Sequence, residues 1–199
     1  MRFRGWLLAF LLLPGLLCAQ GQLAFEAEVL DFELSRLDGQ ADTLVWNVRG
    51  SYYFSNLHDA AISREIWFPV PSSDSIGVAE KVEVALLEPA DSMSVELTCQ
   101  TDDGFTFRLD LPQRSFVGVH IKYDQKISGK EARYVLLTAN AWGRPLPSCE
   151  ITLFLEGGLE LRDYPLPDPV IVPSSLGDTY HWQITGFRPE TDLIVNLVE

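Results

Sequence analysis

The chain is poor in the side chains that metal and redox chemistry draw on, with 3 His, 3 Cys and 2 Met in 199 residues. His58, His120 and His181 fall in three separate segments, and no Cys/His group has the spacing of zinc ligands. A G-x-S-x-G elbow, an H-E-x-x-H helix, a P-loop and a dinucleotide fingerprint are all missing. Sequence motifs therefore nominate no catalytic residue, no metal and no cofactor, and the reading leans away from an enzyme. Basic residues are scarce as well, 15 Lys and Arg against 28 Asp and Glu. Affinity for phosphate backbones comes largely from Lys and Arg, so nucleic acid is not an expected partner. Beyond Gln20 no apolar run approaches the roughly 20 residues that cross a bilayer, so no transmembrane span is expected in the mature chain.

The N-terminus carries Arg2 and Arg4, an apolar run from Trp6 to Leu17 broken only by Pro14 and Gly15, and small residues around Ala19. That order is the signature of a secretory leader, expected over residues 1–19 and cleaved after Ala19, with a secreted or periplasmic mature chain. A lipid anchor on Cys18 is the rival reading. It is disfavoured because Leu17 stands where such motifs carry a small residue. Loss of Arg2 and Arg4 with the leader makes the remaining chain still more acidic than the formal −13 of the whole. Solubility is the plain reading of that charge, and a cation bound by clustered carboxylates the sharper one.

The mature chain, residues 20–199, fits one sizeable β domain. Leu44, Trp46, Val48, Gly50, Tyr52 and Phe54 alternate with more polar partners, the period of a half-buried strand. Apolar residues change phase between Leu23–Val29 and Leu30–Leu34, which predicts a β-bulge near Val29. Runs at Met93–Cys99 and Phe105–Leu111 flank Asp103-Gly104, a hairpin signature in which glycine supplies the positive φ. About a dozen short strands punctuated by Gly, Pro, Asn and Asp predict an all-β fold, specifically an antiparallel β-sandwich. The segment Ser75–Leu87 is ambiguous and could begin as a short helix. Pro165, Pro167, Pro169 and Pro173 mark the stretch Tyr164–Pro173 as an extended strap or a sheet edge.

Cys99 and Cys149 each follow the apolar phase of their segments. In an oxidising compartment a disulfide between them is expected, and closing about 50 residues it would stabilise the fold by about 4 kcal/mol; two buried thiols are the alternative. Among the aromatics most rings keep phase with aliphatic neighbours and read as core. Tyr53 and Trp67 do not, and with Trp142 they form the candidate contact set for a ligand or partner.

Three segments carry a resemblance: Tyr52–Asn56 leading to Phe68-Pro69-Val70-Pro71; Tyr134–Thr138 with Trp142 and Pro145; and Trp182 with Phe187, Pro189, Asp192 and Leu193. They resemble a group of bacterial secreted domains of unknown function in which a Tyr-x-Phe-x-Asn strand precedes a Phe-Pro-x-Pro turn. The resemblance runs from about Leu44 to Val198 and implies no catalytic residues. Physically, Asn56 suits a turn, and the prolines after Phe68 stop ladder donation, so both motifs read as determinants of fold. The expected function is a noncatalytic extracytoplasmic interaction module that contacts a protein or envelope component through a sheet edge or aromatic patch. The alternative is a carbohydrate-binding or glycan-processing module. The oligomeric state is left open.

Overall fold

A computed structural model of the chain describes residues 23–38, 40–87 and 95–198. The expected leader, Cys18 and Met93 lie outside the described residues. The protein is mostly β. Its strands are β1 (Leu23–Leu37), β2 (Gln40–Asn56), β3 (Ile62–Pro69), β4 (Glu80–Leu86), β5 (Leu97–Thr101), β6 (Gly104–Leu111) and β7 (Phe116–Ile127). After β8 (Glu131–Tyr134) and a short 3-10 helix (Leu137–Trp142) come β9 (Leu146–Glu156), β10 (Glu160–Asp163), β11 (Val170–Pro173), β12 (Gly177–Phe187) and β13 (Leu193–Val198).

These strands form a seven-stranded sheet in the order β11-β12-β9-β1-β2-β7-β4 and two three-stranded sheets, β10-β13-β8 and β3-β6-β5. The expectation of purely antiparallel pairing is corrected in one place. β1 and β9 run parallel, from Ala27 beside Ser148 to Leu34 beside Leu155, so the large sheet is mixed. The ambiguous stretch before β4 forms no helix; Ile76 makes a bridge to Ile127 instead.

The inner face of the large sheet carries the core. On β2, Leu44, Trp46, Val48, Tyr52 and Phe54 are buried, as the alternation requires. Phe32 and Trp46 stack across β1 and β2 at 4.8 Å. Phe68, at the end of β3, ties the layers together: its ring meets Tyr52 at 5.5 Å, Phe105 at 5.0 Å, Tyr123 at 6.2 Å and Tyr134 at 6.4 Å. Rings from all three sheets thus meet around one side chain, where large apolar area and ring quadrupoles both favour contact.

The two turn motifs act as the sequence implied. Asn56 is buried, and its Nδ2 donates to Ala60 O at 2.9 Å and Pro112 O at 2.7 Å while its Oδ1 accepts from His58 N at 2.9 Å. One amide therefore fixes both the β2–β3 and the β6–β7 connections. Pro69 ends β3, and the N–H of fully buried Val70 donates to Asp103 O at 2.8 Å. The β5–β6 hairpin forms as expected, but its turn residues are Asp102 and Asp103, and Gly104, with φ +147°, opens β6 opposite Thr101.

Candidate functional site

The bulge in β1 lies between Phe25 and Ala27, nearer the N-terminus than the apolar pattern suggested. Its position decides what reaches the core. Once the phase has changed, Glu28 falls on the inner face with Leu30, Phe32 and Leu34, and it is 4 % exposed. Register sets it between Tyr52 on β2 and Cys149 on β9. Burial pushes the Glu28 carboxyl up to about 7, partly offset by the hydrogen bond from Cys149 Sγ to Oε1 at 3.3 Å. Burial likewise raises the Cys149 thiol well above its usual value, and the adjacent carboxylate adds to the effect.

Above Glu28 lies a cavity of about 80 Å³ between β3 and the 3-10 helix. Phe25, Tyr52, Phe54, Phe68, Tyr134 and Trp142 are among the residues that line it. Trp142 packs on Phe25 at 5.6 Å and on Phe54 at 5.5 Å. The hydroxyls of Tyr52 and Tyr134 share a hydrogen bond of 2.6 Å, joining the large sheet to β8. Room for the Tyr52 ring comes from Gly50, two residues earlier on the same face: a Cβ there would lie 2.2 Å from the Tyr52 hydroxyl. The 3-10 helix is anchored by buried Asp192, whose carboxylate accepts from Arg133 Nη2 at 2.7 Å and from Leu137 N at 3.2 Å.

The three aromatic candidates are not brought together as one patch. Trp142 is part of the cavity wall. Trp67 also borders the cavity but is 48 % exposed, and its ring lies against Gly104. Tyr53 is on the opposite face of the large sheet, stacked at 5.7 Å and 14° on Phe116, which is 63 % exposed.

The expected disulfide is corrected: both cysteines are free. A register shift between Leu97 and Cys99 turns Cys99 outward on the β3-β6-β5 sheet, while Cys149 is buried in the large sheet against Glu28. Alternation alone placed Cys99 inside, and the bulge reversed it.

The histidines sit away from the cavity. His120 and His181 stand on the outer face of the large sheet, near Ser51 Oγ at 3.3 Å and Thr152 Oγ1 at 3.4 Å. Burial, reinforced by Lys122, holds the His120 imidazole below its usual value. A polar groove on that face is internally compensated by Lys81–Asp124 at 2.6 Å and Lys122–Glu83 at 2.8 Å.

A second feature is at the sheet's edge. Among the described residues β11, within the Pro-rich strap, pairs only with β12 at the margin of the large sheet. Val170, Ile171 and Val172 are 65 %, 51 % and 55 % exposed, and nearby Leu176 is 75 % exposed. The strap leading to it is fastened by Trp182 Nε1, which donates to Pro167 O at 2.6 Å. The other margin is different. β4 carries Glu80, Lys81 and Glu83, has a bulge between Glu80 and Glu83, and is flanked by Val95, whose N–H donates to Val84 O at 2.8 Å. Charges, bulges, prolines and short length all limit further pairing at a sheet edge; β4 has charges and a bulge, whereas β11 is short, ends in Pro173 and is otherwise apolar.

No protein-family model matches the chain, and no curated protein matches it in sequence. Among solved structures, a provisionally named nutrient binding protein from Legionella pneumophila is similar, with a TM-score of 0.71 and 15 % identity over 88 % of this chain and 67 % of that one. At that identity the likeness is one of fold.

Proposed function

We propose that this protein is a noncatalytic extracytoplasmic β-sandwich module, one domain over residues 20–199, that binds another protein along the edge strand β11. The observation that carries the proposal is the run Val170-Ile171-Val172, each residue more than half exposed on an apolar margin of the large sheet. An extended partner segment would add main-chain hydrogen bonds to the ladder while its alternate side chains cover the valines and Ile171. The ring contacts of Phe68 across the three sheets support a two-layer sandwich. The leader-like N-terminus supports export, and the Tyr-x-Phe-x-Asn and Phe-Pro-x-Pro motifs support kinship with the secreted domains they resemble.

The sugar-binding alternative gains little from the geometry. A cavity of about 80 Å³ is well below the roughly 300 Å³ at which ligand pockets usually begin, and Tyr53, Trp67 and Trp142 present no common platform.

A photo-crosslinking side chain at position 171, introduced into the full chain in its source organism, tests the edge. The expected result is a discrete adduct from position 171 that disappears when Val172→Pro is added, with none from Gln183 on the outer face. Adducts of equal yield from both positions, or from neither, would overturn the assignment.

A further inference from the structure

The cavity over Glu28 combines features that protein partnership at β11 does not use. Among the described residues that line it Glu28 is the only Asp, Glu, Lys or Arg, and the rest are chiefly rings and aliphatic groups. A carboxylate taken out of water costs several kcal/mol unless a counter-charge and hydrogen bonds accompany it. Here its donor is a thiol, the weakest in the side-chain inventory. The nearby hydroxyls of Tyr52 and Tyr134 bond to each other, which uses one of their two protons. Around this carboxyl stand the mutually packed rings of Phe25, Phe54 and Trp142, which line the cavity.

An anion would be repelled by the carboxylate, and a neutral apolar group would leave it unpaired. A cation with apolar substituents suits both, through Coulomb attraction to the carboxylate and apolar contact with the rings. Size narrows the choice. The cavity of about 80 Å³ is about half the roughly 150 Å³ that accepts benzene in an engineered apolar core, so it takes a head group and not a whole sugar or nucleoside. We infer that this cavity is a binding site for the ammonium head of an organic amine, with Glu28 as its counter-ion and Phe25, Phe54 and Trp142 as its aromatic wall.

The carboxyl, pushed up to about 7 by burial, gives the site a pH signature. Amine binding needs the carboxylate, so affinity is constant well above pH 7 and falls by up to about tenfold per unit below it, with a proton released on binding. Two sources share this chemistry, a free small amine and the side chain of a lysine.

The test is calorimetric titration of the purified chain from Gln20 onward at pH 8.5 and pH 6 with n-butylammonium, with capped lysine (N-acetyl-lysine amide), and with 1-butanol as the neutral control. Saturable binding of at least one ammonium probe at pH 8.5, weakened tenfold or more at pH 6 and absent in Glu28→Gln, is expected. Tighter binding of capped lysine would assign the head to a protein side chain, and tighter binding of butylammonium to a free amine. Equal binding of butanol, undiminished binding by Glu28→Gln, or no ammonium binding at pH 8.5 overturns the site. Should Glu28→Gln fail to fold, the wild-type carboxyl can be followed by ¹³C NMR. Its pKa must fall when the bound probe is added, and an unchanged value overturns the inference equally.

Discussion

The Cys149 thiol donates to the Glu28 carboxyl across the parallel pair β1–β9, Sγ to Oε1 at 3.3 Å. The bond joins two groups that are both hard to ionise where they stand. Burial raises the Glu28 carboxyl from 4.5 to about 7 and raises the thiol as well. The folded protein therefore holds the Glu28 proton more tightly than the unfolded chain does.

Stability should follow that difference. The contribution from Glu28 is fully present below about pH 4.5 and is lost as the pH rises to about 7. At 1.36 kcal/mol per unit, the loss is on the order of 3 kcal/mol. Urea unfolding of wild type and Glu28→Gln at pH 5 and pH 8 checks this: the variant should be the more stable of the two at pH 8 and should lose most of that advantage at pH 5. An identical pH dependence in both proteins would place the titrating group elsewhere.

The two cysteines of the expected mature chain should react unequally. Cys99 is exposed and Cys149 is buried beside a carboxyl, and thiol reactivity follows access and thiolate character. In native protein beginning at Gln20, one maleimide per chain is expected, mapping to Cys99, with the second added only in denaturant. Cys149→Ala removes the donor to Glu28 and should cost about 1–3 kcal/mol, whereas Cys149→Ser, which keeps a donor, should cost less.

Much of the scaffold was legible because its signals are local. The alternation on β2, the Asp-Gly hairpin, the Asn56 turn and the extended strap each depend on a few neighbouring residues and on the intrinsic habits of Gly, Pro and Asn. The site was not legible, because it depends on register. Glu28 looks like an outward residue until the bulge is placed between Phe25 and Ala27, and shifting a phase by one residue exchanges the faces of a strand. The same effect misdirected Cys99. The parallel pairing of β1 with β9 joins residues 121 apart in sequence at the Glu28–Cys149 contact, and no local pattern records such a neighbour. A buried carboxylate on the apolar phase of a strand would have been the signal, available only to a reading that moved the bulge.

Gly50 should be hard to replace despite lying in the middle of a regular strand. A Cβ would sit 2.2 Å from the Tyr52 hydroxyl and 2.5 Å from its Cζ, and the buried ring has the 2.6 Å bond to Tyr134 to lose. Gly50→Ala is expected to destabilise by about 1–3 kcal/mol, the usual cost of overpacking a core. Adding Tyr52→Phe, which removes the clashing oxygen, should recover part of it. A thermal melt of the two single variants and the double variant measures the coupling, and strict additivity would mean that the hydroxyl is not what opposes the new methyl.

The β11 edge invites a paired prediction, because its exposure and its support can be altered separately. Ile171 is 51 % exposed on the margin, so Ile171→Lys removes apolar surface without opening a cavity, and stability should change by no more than about 0.5 kcal/mol. Gly177, at the start of β12, has φ +151°, and a Cβ there would lie 1.9 Å from Leu155 O. Neither the conformation nor the contact admits a side chain, and a backbone carbonyl cannot swing aside as a flexible side chain can. Gly177→Ala should therefore cost more than 2 kcal/mol, a rough sum of backbone strain and displaced ladder, and hydrogen exchange should show β11 and the first residues of β12 losing protection ahead of the rest of the sheet. If Ile171→Lys were instead as damaging as Gly177→Ala, Ile171 would be part of the packed interior. The edge would then be a support for the fold and no longer a surface open to a partner.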